Sequence, residues 1–166
     1  MGYNKILKQT PESALKLLSI IHLAFLAGQM LFGLAAFAQS SRMYFGVMNM
    51  NDQFGFIAPV MAFGGFMGGY LIFKKQIQDL RDKNTLSEKL LGYQSALISR
   101  FILLEAPSLF AILAYMISGN MFFLFISGSL VMYFLFLRPT KDKIENDLCF
   151  NFKSKLAYLN QEELVN

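Results

Sequence analysis

A carboxylic acid inside an apolar stretch is the sharpest chemical signal in this 166-residue chain. Glu105 stands about four residues into the run 101–117, roughly 6 Å from its charged end by helix rise. His22 stands about five residues into the run 17–38, which crosses in the same direction, so the two are expected at similar depth as natural partners. Inside lipid a centrally placed charge costs about 2.5–3.5 kcal/mol on insertion scales, so such groups need a partner or a purpose. One reading of the pair is a proton relay or ion site. The other is an interhelical hydrogen bond that fixes packing, with the acid protonated and donating. Gln29, seven residues beyond His22 and on the same helix face, extends the polar stripe toward the membrane centre.

Two further patterns bear on geometry. Pro107, two residues after Glu105, removes a backbone hydrogen bond and frees the Leu103 carbonyl, so a kink beside the acid is expected; Pro59 does the same in the second run. Gly64-Gly65 and Gly68-Gly69 form two overlapping G-x-x-x-G pairs, a spacing that lets another helix approach closely, either within the chain or across an oligomer interface. Gly28 and Gly33 of the first run are plausible facing residues. Lys16 and Arg100 lie shallower and are expected to snorkel toward the boundary. Arg100 is about 140° round the helix from Glu105, so its default partner is not that acid but a group on a neighbouring helix or chain.

The same inventory excludes much chemistry. One His and one Cys cannot supply a bis-His haem or a Cys-rich metal site, so no metal or cofactor is expected. No H-E-x-x-H, nucleophile elbow or C-x-x-C occurs, and the Gly-rich patch lacks the Walker Lys-Ser/Thr, so an enzyme is not expected. The net charge of +4 reflects sidedness and no span interleaves basic with aromatic residues, which argues against nucleic acid.

The elements that must position these residues follow from composition. The chain is 55% hydrophobic and only 16% charged, a balance that needs a bilayer to cover it. Four apolar runs, 17–38, 54–73, 101–117 and 121–137, come close to the roughly 20 residues a helical span needs. Fourteen of the fifteen Lys and Arg lie on one side of these runs, with Arg42 alone on the other. The positive-inside rule then gives a multi-pass protein with both termini cytoplasmic, and the compact loops without a transit-like Arg/Ser-rich leader point to a plasma (bacterial inner) membrane. Ala36-Phe37-Ala38 before Gln39 has the form of a signal-peptidase site, but the apolar run is too long for an ordinary h-region and carries His22 and Gln29, so retention is expected.

The expected fold is all-α: four transmembrane helices as two antiparallel hairpins. Ser118-Gly119-Asn120 makes the second turn, with Gly119 and Asn120 both suited to positive φ. Thr10-Pro11-Glu12 marks the start of the first helix, and the capping box Thr85-Leu86-Ser87-Glu88 the start of the third. Helices two and three therefore extend as a cytoplasmic hairpin over 74–100, giving a membrane domain of 1–138 and a tail of 139–166. In the tail Ile144, Leu148, Phe152, Leu156 and Leu159 form an amphipathic stripe that packs on the hairpin, lies on the membrane or binds a partner. Ser13-Ala14-Leu15 against Ser95-Ala96-Leu97, and the aromatic words at Tyr70 and Tyr133, are compatible with duplication of a hairpin.

In outline, two glycine-bearing hairpins with one buried acid resemble the duplicated proteolipid subunits of rotary ATPase rings. The resemblance covers the spans only. Glu105 lies on the first helix of its hairpin, where that family carries its acid on the second, and the glycine repeat is in the second span, so it stands as an analogy of architecture. The expected function is a non-enzymatic membrane protein, a structural or accessory subunit of a complex or homo-oligomer, docking through lipid-facing helices and through 74–100 and 144–159. The alternative is a small transporter or proton- or ion-conducting oligomer centred on Glu105 and His22.

Overall fold

In a computed structural model, residues 11–40, 42–47, 54–81, 83 and 86–148 are described. These residues are all-helical: α1 Pro11–Gln39, α2 Phe54–Arg81, α3 Leu86–Ser118, α4 Met121–Phe136 and α5 Lys141–Leu148. α1, α2 and α3 are each long and apolar enough to cross a membrane. α4 has 16 residues, about 24 Å of helix, and makes a fourth candidate only together with α5, from which it is bent by 80°.

α3 is the axis of the bundle, with α1, α2 and α4 all packed on it; α1 and α2, though consecutive, meet mainly through α3. The α1–α3 register is constant. His22 lies against Phe101, Gln29 bonds Ser108, and Gly33 faces Ile112, each pair 79 positions apart, so the helices run parallel and in step. Against α4 the direction reverses, with Phe101 on Phe134 and Ser108 on Ser127.

The α2–α3 contact is made by glycine. A Cβ on Gly65 would run into the Leu103 carbonyl oxygen and come within 2.7 Å of the Pro107 Cγ. That carbonyl is the one Pro107, lacking an N–H, leaves without its helical donor. One turn on, a Cβ on Gly69 would meet Arg100 and Leu103 at ordinary contact distance, 3.6 Å. Both prolines, Pro59 and Pro107, lie inside continuous helices.

Two apolar cores result. One gathers Leu18, Ile77, Leu97, Phe101, Phe134, Ile144 and Leu148 toward the charged end, the other Ala36, Ala58, Ile112, Tyr115 and Phe123 toward the opposite end. Ile144 and Leu148 are buried there, so the described part of the tail stripe packs on the α2–α3 hairpin; Phe152, Leu156 and Leu159 lie outside the described residues, as does Thr85 of the capping box.

The turn between α3 and α4 differs from expectation in one residue. Gly119 has φ of +73°, and a Cβ there would meet the Arg42 carbonyl, which only glycine avoids. Asn120 instead has φ of −84° and acts as N-cap of α4, its side chain accepting from the Phe122 amide at 3.1 Å. The same side chain clamps the loop that follows α1: Oδ1 accepts from Gly46 N at 3.0 Å and Nδ2 donates to Gly46 O at 2.8 Å. Its ψ of 111° completes the extended backbone usual for an N-cap residue.

Candidate functional site

Between the two cores runs a polar seam. Ser108 on α3 donates its hydroxyl to Gln29 Oε1 on α1 at 3.2 Å and shares a 2.9 Å hydrogen bond with the Ser127 hydroxyl on α4. All three side chains are buried. One layer of hydrogen bonds thus joins three helices at a single depth. The serines carried no signal in the sequence, because a hydroxyl in an apolar helix ordinarily bonds its own backbone.

His22 stands seven residues closer to the charged end and is 5% exposed. Its ring stacks on Phe134 with centroids 4.7 Å apart and leans on Phe101 at 5.3 Å. Its Nε2 lies 2.9 Å from the Phe134 carbonyl oxygen. A carbonyl only accepts, so this bond requires the proton on Nε2. Phe134 is in the last turn of α4, where its carbonyl also accepts from the Leu137 amide at 3.0 Å, so His22 adds a second donor from α1 to that helix end.

The expected His22–Glu105 pair is therefore not formed. The constant offset makes His22 level with Phe101, whereas Glu105 is level with Leu26, one helical turn and about 6 Å further along. Depth counted from the span edges differs by that turn, because α1 and α3 are in register by packing and not by where their apolar runs begin. Glu105 is half-buried and makes no hydrogen bond or ion pair among the described residues.

The glycine pairs divide. Gly65 and Gly69 are used against α3, whereas an added Cβ would meet nothing within 4 Å at Gly64, Gly68 or Gly28. One G-x-x-x-G pair is consumed inside the chain, and the other is open on the outer surface of α2.

A second group of residues collects at the charged end. Arg100 Nη2 donates to the Tyr133 hydroxyl at 2.6 Å, and its guanidinium lies over Phe73 at 4.9 Å, Tyr133 at 5.9 Å and Tyr70 at 6.0 Å. Cation–π contact of this kind holds a guanidinium without neutralising it. Beside it, Arg81 Nε donates to the Asp147 main-chain oxygen at 3.2 Å and the Tyr93 hydroxyl donates to Asp147 Oδ2 at 3.1 Å, fastening α5 to the α2–α3 hairpin. The tyrosines Tyr70 and Tyr133, conspicuous in sequence as matching span ends, meet at one arginine.

Among the described residues no group of three or more His, Cys, Asp or Glu is placed to hold a metal ion. Compared with known proteins, the chain matches no family model, no curated sequence and no solved structure.

Proposed function

We propose that the chain is a non-enzymatic integral membrane protein that works by assembly, as a structural or accessory subunit of a membrane complex or homo-oligomer. In this reading α1 to α4 are four spans of a bacterial inner membrane, with both termini and the 74–100 hairpin cytoplasmic. The observation that carries it is the Gln29–Ser108–Ser127 seam: the polar side chains of the apolar segment bond one another across three helices. Together with His22 on the α4 end, they act as interhelical glue. The open Gly64/Gly68 pair on α2, with exposed Val60, Met67 and Leu71 around it, supports helix-to-helix association with a second copy or another subunit.

The alternative, proton or ion conduction, keeps one supporting observation: Glu105 is half-buried and unbonded among the described residues. The two readings separate in proteoliposomes. In the assembly reading, wild type gives no proton or cation flux above empty vesicles and Glu105→Gln leaves complex formation intact. Flux in the wild type that Glu105→Gln removes would instead establish conduction.

A further inference from the structure

Two hollows in the molecule are linked by the Tyr133–Arg100 hydrogen bond, Tyr133 lining one and Arg100 the other. The first, a pocket of about 380 Å³ among α2, α3 and α5, is lined by Lys74, Arg81 and Arg100 with a single carboxylate, Asp147. Of that carboxylate Oδ2 accepts from the Tyr93 hydroxyl, and Arg81 bonds the Asp147 main-chain oxygen, so three cations stand against one acid. Arg100 is half-buried, its Nη2 bonds only a neutral phenol, and its Nε is buried with no acceptor. Neither Arg100 nor Lys74 has an ion-pair partner among the described residues. A partly desolvated guanidinium outside any ion pair is costly, and the pocket carries more positive than negative charge, so it suits an anion.

The second hollow is a groove of about 460 Å³ between α2 and α4, walled by Pro59, Phe63, Phe66, Phe122, Phe125 and Ile126. Tyr133 closes its charged end. The ring packs on Phe66 at 4.7 Å in the groove, while the hydroxyl holds Arg100 in the pocket. An inorganic anion would use the pocket alone, and an apolar helix the groove alone. We propose that the two form one binding site for an anionic phospholipid, with its phosphate held by Lys74, Arg81 and Arg100 and an acyl chain in the α2–α4 groove. Basic pockets between membrane helices on the cytoplasmic side take anionic head groups for the same electrostatic reason. The site requires that these helices lie in a bilayer and does not depend on assembly.

Native mass spectrometry of the full chain in neutral detergent tests this, with phosphatidylglycerol, phosphatidylcholine of the same chains, and inorganic phosphate as the three probes. Phosphatidylglycerol is expected to be retained one per chain and more tightly than phosphatidylcholine, with inorganic phosphate failing to displace it at equal concentration. The double variant Lys74→Gln/Arg81→Gln, at two exposed side chains, should weaken phosphatidylglycerol by about thirtyfold and erase the preference. Ser129→Trp, which fills the groove from an exposed position on its wall, should weaken both lipids alike. Equal retention of the two lipids, a preference that survives the double variant, displacement by inorganic phosphate alone, or lipid binding untouched by Ser129→Trp would each overturn the proposal.

Discussion

Ser108 is the residue on which the seam turns, because it alone bonds both neighbours. Interhelical hydrogen bonds of this kind average about 0.6 kcal/mol and reach about 1.7. Ser108→Ala is therefore expected to lower unfolding stability in micelles by roughly 1 kcal/mol, and Ser108→Ala with Ser127→Ala by less than the sum of the single changes, since they share a bond. Additive losses in such a cycle would remove the coupling between α3 and α4. At the other end, Asn120→Ala removes an N-cap and a loop clamp together. Its expected cost is about 1–2 kcal/mol, with faster proteolysis of residues 42–47 as the accompanying sign. In the sequence, His22, Gln29 and Glu105 stood out because charge or amide in an apolar run is conspicuous. Which of them touch was not legible. Contact at this scale depends on helix register to within one turn, and that register is set by packing on Phe101 and Ile112, residues indistinguishable in type from their neighbours.

At the scale of elements the two glycine pairs make opposite predictions. Gly65→Leu would drive a side chain into the Leu103 carbonyl and Pro107, so it should separate α2 from α3 and yield misfolded or degraded protein. Gly64→Leu and Gly68→Leu meet open space and should leave the monomer folded, as judged by unchanged helix content and melting. Loss of fold in the second set with preservation in the first would reverse the assignment of faces. The four-residue spacing was legible in the sequence, but adjacent registers differ by about 100° around the helix and only the partner's shape chooses between them. Here the choice follows from Pro107, whose missing N–H exposes the carbonyl that Gly65 approaches. Helix starts were more readable, because they are local chemistry: α1 begins at Pro11 with Glu12 in its first turn. The role of Asn120 was misread for a related reason, since asparagine suits both a left-handed turn and an N-cap, and the Gly46 backbone weights the second.

For the whole molecule, the helical, membrane-compatible class of the described residues followed from composition together with the length of the apolar runs. The asymmetry of Lys and Arg predicts an orientation, which a labelling experiment reads directly. In a Cys149→Ser background, a cysteine at Gln78 should be shielded from a membrane-impermeant thiol reagent in intact cells, and one at Phe45 should react. What composition could not supply was the central position of α3. Its contacts involve three helices far apart in sequence, and no local pattern distinguishes an axis from a wall. Assembly is the claim on which the proposed function stands, and the mass of the purified, lipid-supplemented particle measures it. The expected result is a defined particle heavier than one chain that falls to the mass of a folded monomer in Gly64→Leu/Gly68→Leu. A wild-type particle that is a lone monomer at every concentration, with no other subunit co-purifying, would contradict it.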